Sequence, residues 1–492
     1  MKIDPDANEY RSTRLVCAKL YEGGLLSCYL IINSIKKRPF FGRSPEFELN
    51  MDLIARHAEK AFQYHLNYAL AEVGLALLAL VFSYINTIFS GLFVAAGIIL
   101  ICWKSLYQNR NIALNNFSNK LFNPAYNLDG LLAQYNLVET NFDIKQNVIT
   151  FGGYLPFLGA GIRAWNWNFL IDTSKPAKKP GDQVDSPEEL TIEELYNETI
   201  KGIRKKDLPN ISCEYILFAD GNEIEKSELL LPKRVGEPVD NLDPEVLVNE
   251  GHKNIYNDWR TYICLKYHDK IRSTLFSTFL RFSRVGKDIF AECSFYILTP
   301  INENKYNIDK LARFDDLRII KIAGMTILYL VVAMILMSSR IFSWAPPLIL
   351  LFIAAYPLFM IYMDRLKDFL GNRQLRKKIE RGEPHNYGRY SSFREMIASP
   401  NYKNYFSAQD IIMIRYSIEQ TIIYSVADLL DSKGIDSSLL RKDMVAYINQ
   451  GIMMFGGKLE ADQIAAGKGA QAMMQIKDQA QKLFSVHSEV TK

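Results

Sequence analysis

The chain has 492 residues, formal net charge +4 and 49% hydrophobic residues. Its length calls for more than one domain, since single cores stop growing well below that size. The weak charge excludes general nucleic-acid binding, and a mean hydropathy of -0.05 makes any membrane part a minority of the chain.

Residues 1–66 read as N-terminal cytoplasmic helices, with helical runs from Thr13 to Asn33 and from Met51 to Leu66. Pro39-Phe40-Phe41-Gly42 and Ser44-Pro45 mark the loop between them, and the second run continues into an apolar segment. The opening residues, MKIDPDANEYRSTR, hold no apolar core of a signal peptide.

Residues 67–103 form that apolar segment, without charge after Glu72. Asn86-Thr87 and Ser90-Gly91 divide it into two arms, giving a first transmembrane hairpin whose short arms need tilt or local thinning. Residues 319–363 repeat the pattern at greater length. Apolar runs from Ile322 to Met337 and from Leu348 to Met363 flank Ser338-Ser339-Arg340 and Trp344-Ala345-Pro346-Pro347. Each of these arms approaches the ~20 residues that cross a ~30 Å hydrocarbon layer. Lysines and arginines crowd the outer flanks of both hairpins, whereas the two tight turns offer only Arg340. The positive-inside rule therefore puts both termini and the middle region in the cytoplasm of a multipass inner-membrane protein.

The middle region, 104–318, reads as a cytoplasmic α+β domain. Asn111 to Gln146 is partly helical. Phe151 to Arg163 is glycine-rich, and Trp165, Trp167 and Phe169 then alternate as a strand would. Residues 173–190 are a linker, and Ser186-Pro187-Glu188-Glu189 carries a helix start. Strands follow at Cys213 to Ala219 and at Trp259 to Tyr267. The sharpest expectation concerns Thr274 to Ile301. With Gly286-Lys287 as a two-residue turn, Val285 faces Asp288, Phe282 faces Ala291, Leu280 faces Cys293 and Thr278 faces Phe295. The same register sets Arg281 opposite Glu292 as a structural ion pair inside an antiparallel meander.

Residues 364–450 continue as cytoplasmic helices, starting with a basic stretch whose Arg373, Arg376, Lys377, Lys378 and Arg381 form a lipid-facing anchor. Gln409 to Ser432 is helical, Gly434 ends it, and Ser437 to Asn449 is helical again. Residues 451–492 change character, with short apolar runs between glycines followed by a polar tail. This reads as a strand motif suited to self-association or partner docking through 451–472.

Chemistry is harder to place. Gly451 to Leu459 departs from a phosphate-binding loop at the position of the metal-ligating hydroxyl, and Gly159-Ala160-Gly161 lacks the third glycine of a dinucleotide motif. The histidines have no metal-ligand spacing and no cysteine sits in a nucleophile motif, so no catalytic residue, metal or cofactor is assigned. One speculative anion or partner site remains: Gly159, Gly161, Arg163 and Trp165, where bare backbone amides and a guanidinium lie close in sequence. The plainer account, a glycine-filled turn beneath a tryptophan strand, is favoured.

Thr13-Arg14-Leu15-Val16-Cys17, Asp52 to His57, Pro156-Phe157-Leu158-Gly159-Ala160-Gly161 with Trp165, Arg260-Thr261-Tyr262-Ile263-Cys264, and Phe279-Leu280-Arg281-Phe282 through Glu292 together carry a resemblance. They resemble an uncharacterised family of bacterial membrane proteins with four transmembrane helices and a cytoplasmic domain between two hairpins. The resemblance implies bacterial origin and that topology, and no mechanism. Asn449 to Ala472 also resembles glycine-punctuated strand motifs at the ends of some bacterial conflict and defence proteins, which implies assembly or docking. The expected function is a non-enzymatic membrane protein whose cytoplasmic domain senses a ligand or partner and acts at the membrane, with a defence effector in view. A membrane-bound enzyme with its site near Gly152 to Trp167, and a non-catalytic scaffold, are the alternatives.

Overall fold

The computed structural model describes residues 11–117, 146–177, 187–247, 258–269, 273–306, 316–338, 344–400, 404–438 and 440–441. The glycine-punctuated motif at 451–472 and most of the expected helix from Ser437 to Asn449 lie outside these residues. By internal packing the chain divides into two compact units, one of residues 1–170 with 207–400 and one of 171–206 with 401–492.

The larger unit opens with α1 (Arg11–Glu22) and α2 (Gly24–Ile35). The expected single run from Thr13 to Asn33 is thus two helices. Gly24 has φ +76°, a left-handed conformation that turns the chain between them. Next comes α3 (Met51–Ile85), 35 residues long, with the Asn50 side chain accepting from the Leu53 amide at its start. Asn86 ends α3 and caps α4 (Thr87–Trp103) through the Ile88 amide, so one residue makes the turn where the sequence placed it. A π-helical turn at Lys104–Gln108 leads into α5 (Asn109–Phe117). Leu15, Val16, Leu20, Ile54, Ala58, Ala113 and Phe117 share a core, which fastens α1 and α5 to the polar end of α3.

A six-stranded sheet follows. Its strands are β1 (Val148–Phe151), β2 (Ile162–Asp172), β3 (Ile211–Asp220), β4 (Trp259–Asp269), β5 (Thr274–Val285) and β6 (Asp288–Leu298), in the order β1-β3-β4-β5-β6-β2. From β3 to β6 it is the antiparallel meander expected. Val285 pairs with Asp288, Phe282 with Ala291, Leu280 with Cys293 and Thr278 with Phe295. Gly286 takes φ +65°, as the two-residue turn requires. Strand β1 was not expected, and it makes the sheet mixed by pairing parallel to β3.

Phe157 covers one face of the sheet. Its ring stacks on Phe279 at 4.3 Å and meets Tyr262, Phe218 and Tyr296 edge-on or tilted within 5.2 Å. Such aromatic contacts each add ~1 kcal/mol beyond area burial. On the same face Arg281 reaches Glu292 at 3.3 Å, and the Tyr262 hydroxyl donates to that carboxylate at 2.7 Å.

After α7 (Glu303–Tyr306) come α8 (Asp316–Ser338) and α9 (Ala345–Glu380). Pro346 and Pro347 fall in the first turn of α9, where no amide partner is lost. Among the described residues two helices, α3 and α9, are long and apolar enough to cross a membrane, and only 22% and 28% of their apolar windows are buried. Core helices of a soluble domain would be covered, so these point to membrane association. α4 has 17 residues, and the apolar stretch of α8 runs from Thr326 to Leu336. α4 packs against α3, α8 and α9 through small residues: a Cβ on Gly97 would strike the Leu350 side chain, and Ser90 donates to the Ala79 carbonyl at 2.7 Å. Lys104 and Glu72, which flank the first apolar segment, pair at 3.5 Å with Lys104 over the Tyr68 ring.

The smaller unit contains α6 (Ile192–Lys205) and α11 (Tyr405–Ser432), packed on each other. Helix α6 starts later than expected. Its cap is Thr191, in a full capping box with Glu194, and not Ser186. Gly434 follows α11 with φ +67°, the left-handed residue that commonly ends a helix.

Candidate functional site

The densest polar cluster lies where the chain, having left α9, returns to the sheet. Arg389 pairs along the edge of β1, bridging to Phe151. The Arg389 amide donates to Thr150 O at 3.0 Å, Gly152 N to Arg389 O at 2.7 Å, and Tyr387 N to Gly221 O at 2.9 Å. Only a glycine at 388 allows this approach, because a Cβ there would overlap the Phe151 carbonyl. The loop before α3 joins from the other side, with Gly42 N donating to Tyr387 O at 2.7 Å. Three segments far apart in sequence thus share one backbone network.

Their side chains lock that network. Short helix α10 (Phe393–Met396) begins at Ser392 with a capping box closed by Glu395. The Glu46 carboxylate sits at its start and accepts from the amides of Phe393 at 2.9 Å and Arg394 at 2.7 Å and from Ser392 Oγ at 3.0 Å. Glu48 accepts from Arg394 Nη2 at 2.6 Å and Nε at 2.9 Å, from Ser12 Oγ at 2.8 Å, and bonds His268 Nε2 at 3.2 Å. The side chains of Arg394 and Glu48 are 0% and 2% exposed, so a fully buried ion pair ties α10 to α1, β4 and the loop before α3. Arg394 Nη2 also donates to Thr299 O at 2.8 Å.

Electrostatics separate the three glutamates. Burial alone pushes the Glu48 carboxyl up, but Arg394 and His268 outweigh it and hold the group below its ordinary value. Glu46 is pushed up by burial against the pull of the Arg394 and Phe393 amides, and Glu395 is pushed up by burial against the Gly161, Ser392 and Gly159 amides.

The glycine loop takes part in this cluster. Gly159 and Gly161 adopt φ +85° and +90°, and both amides donate to Glu395 Oε1 at 2.9 Å. The anion facing these bare amides is the chain's own carboxylate. Arg163 is exposed, and the charge it adds near Tyr296 opposes the effect of burial on that phenol. Trp165 is half-buried on β2. The glycines face Glu395, and both Glu395 and the charge of Arg163 act on the Tyr296 phenol. Arg373, Arg376, Lys377, Lys378 and Arg381 are exposed at the far end of α9, with Arg376 paired to Glu380 at 2.9 Å.

Beside Glu48 the sheet face opens into a shallow cavity of about 370 Å³ lined by Glu48, His268, Lys266, Ser212 and Leu275 among others. Lys266 lies over the Phe47 ring at 3.9 Å and pairs with Glu214. Sequence reading missed Glu46, Glu48, Arg394 and Glu395. The Ser392-Phe393-Arg394-Glu395 capping pattern was the available signal.

Fold and site define a class: an α+β protein whose mixed sheet is clasped to two long apolar helices that point to membrane association. Within that class the chain belongs to the AbeC-like domain family, which residues 165–461 match. The match takes in β2 to β6, α9, α10 and α11, and leaves out Glu46, Glu48, the glycine loop and the first hairpin. No curated protein and no solved structure gives a significant match.

Proposed function

We propose that this protein is an inner-membrane effector of bacterial defence, in which the sheet domain senses a ligand or partner and passes that event to two membrane-spanning hairpins. One observation carries the reading. Helix α9 is continuous from its apolar half to Glu380, and within the next fifteen residues the chain is fixed to the sheet through Tyr387, Arg389 and Arg394. A change in the sheet that loosens the Glu48–Arg394 pair is thereby a change at the end of a membrane helix. α2 adds a second link, since Tyr29 donates to Asp364 of α9 at 2.9 Å.

The defence part of the reading rests on the likeness of residues 449–472 to strand motifs of bacterial conflict and defence proteins, and membership of the AbeC-like domain family is compatible with it. The exposed apolar faces of α3, α4, α8 and α9 support the four-span arrangement: Leu77, Ile88, Leu92, Ile327, Ile335 and Phe352 all lie open. The enzyme alternative near Gly152 to Trp167 loses its two amide donors to Glu395.

Overexpression in bacteria with a membrane-potential dye, with and without phage challenge, tests the proposal. Depolarisation under either condition is expected, and an unchanged potential under both would remove the effector reading.

A further inference from the structure

We propose that the seam between α3 and the π-helical turn after α4 is a proton path through the first hairpin, in which Glu72 receives the proton and the contact of Ala79, Val94 and Ala333 is the seal. The inference rests on the membrane-effector reading and deepens it by naming the ion and its route.

Polar side chains climb α3 at one-turn spacing. Lys60, Tyr64, Tyr68 and Glu72 recur every four residues and so share one face of the helix. The upper three each meet a partner from the facing segment. The Tyr64 hydroxyl donates to Asn109 Oδ1 at 3.1 Å, the Tyr68 hydroxyl donates to Gln108 Oε1 at 2.8 Å, and Lys104 pairs with Glu72 at 3.5 Å. Neighbouring rungs touch as well, with Lys104 over the Tyr68 ring at 5.1 Å and the Tyr64 and Tyr68 rings edge-on at 5.0 Å. The π turn at Lys104–Gln108 builds the second rail. It takes one residue more than an α turn, which keeps Lys104, Gln108 and Asn109 together on the side of α3. Lys60, Glu72, Lys104 and Asn109 are all buried.

The adjoining helix α9 sets the depth of the charge pair. Tyr29 and Asn33 donate to Asp364 at 2.9 and 3.3 Å, and the Arg365 guanidinium lies over the rings of Tyr29 at 6.0 Å and Phe62 at 5.8 Å. The first charges after the apolar half of α9 therefore stand level with Phe62. Glu72 is about 15 Å further toward the outer side, at 1.5 Å per residue along α3, and at that height α9 carries no charge. An ionised pair so placed is costly and marks the path of an ion. Lys104 already supplies positive charge, which disfavours a metal cation. A proton needs only the carboxylate.

Beyond Glu72 the seam is closed by small apolar side chains. Ala76 is buried one turn above it, and Ala79, Val94 and Ala333 then join α3, α4 and α8 in one cluster. Such a constriction excludes water while packed and admits it once parted. A proton entering through the parted seal binds the Glu72 carboxylate and releases Lys104 from its pair. Its departure toward the cytoplasm along Tyr68 and Tyr64 restores the carboxylate and the pair.

The test uses the full chain in liposomes loaded with a pH-sensitive dye, under a potential imposed with potassium and valinomycin. Val94→Ser puts a hydroxyl into the seal, so conduction is read without a trigger, and Ala79→Ser replaces it if Val94→Ser does not fold. Proton uptake about tenfold or more above wild type is expected of the seal variant. It should vanish when Glu72→Gln and Lys104→Gln are added together, a change that leaves no unpaired charge, and persist when Glu72→Asp is added instead. No uptake in a folded seal variant, equal uptake with the paired amides, equal loss with Glu72→Asp, or sodium flux at the proton rate would overturn the inference. Depolarisation of challenged cells by the wild-type chain is a separate measurement, so the effector reading can survive a failure here.

Discussion

Arg394 and Glu48 stand 346 residues apart in sequence and 2.6 Å apart in space, with both side chains buried. Glu48 precedes the first apolar helix and Arg394 follows the last, so this pair closes a ring of chain that contains both hairpins and the sheet. A charge pair so deep contributes less to net stability than its Coulomb attraction implies, because both groups give up water. Removing one partner is another matter, since the survivor stays buried without compensation.

Glu48→Gln is therefore expected to destabilise the larger unit by ~3–5 kcal/mol. The double variant Glu48→Gln with Arg394→Met should lose less than the sum of the two single changes. Thermal unfolding of the four proteins in one detergent closes the cycle. Strict additivity would show that the pair is not coupled.

Acid should erase the advantage of wild type over Glu48→Gln. The folded-state value of Glu48 is depressed below the ordinary 4.5, so its contribution is fully present above pH 4.5 and is lost as pH falls through the lower folded value. Glu46 and Glu395 are shifted the opposite way and favour the folded protein as they take up protons, but they are common to both proteins and cancel in the difference. The difference in unfolding free energy between wild type and variant should shrink as the pH falls below 4.5. Growth of the difference below pH 4.5 would reverse the assigned sign.

Gly161→Ala should cost more than a helix substitution does. At φ +90° a side chain is strained by ~1–3 kcal/mol, and the new Cβ would run into the Ile297 carbonyl. The loop must move, and with it the two amides on Glu395. Loss of protection in hydrogen exchange at Gly159 and residue 161 is the expected readout, while Gly153→Ala, whose Cβ meets only the far Tyr390 ring, should leave that protection intact.

Local rules carried the reading of this chain a long way. Gly286-Lys287 made the β5–β6 register derivable, down to Arg281 facing Glu292, because a two-residue turn leaves no freedom of pairing. Asn86 was visible as the break in the first hairpin because it stands between two apolar runs and can cap the second. β1 escaped notice because four residues show too little alternation, and its strand identity comes from parallel pairing with β3. Thr191 and Ser186 both begin a Ser/Thr-x-x-Glu pattern. Only the first is followed by Leu195, Tyr196, Thr199 and Ile203, which are buried along one helical face. Of the clasp, only the capping pattern from Ser392 to Glu395 is legible in the sequence. Glu46, Glu48, Arg389 and Arg394 are ordinary surface types in loops and one short helix, and only the return of the chain from α9 to the sheet makes them neighbours. For the glycine loop the sequence favours a plain turn over an anion site, and local sequence does not reveal that its amides meet Glu395.

The proposed function requires that the hairpins cross the bilayer with the sheet inside. Cys213 is exposed on the sheet and serves as a built-in reporter, and Thr87→Cys places a second thiol at the exposed turn between α3 and α4. Intact spheroplasts treated with a membrane-impermeant maleimide should label Thr87→Cys at once, and Cys213 only after permeabilisation. Labelling of Cys213 from outside, or protection of Thr87→Cys until the cells are opened, would contradict it.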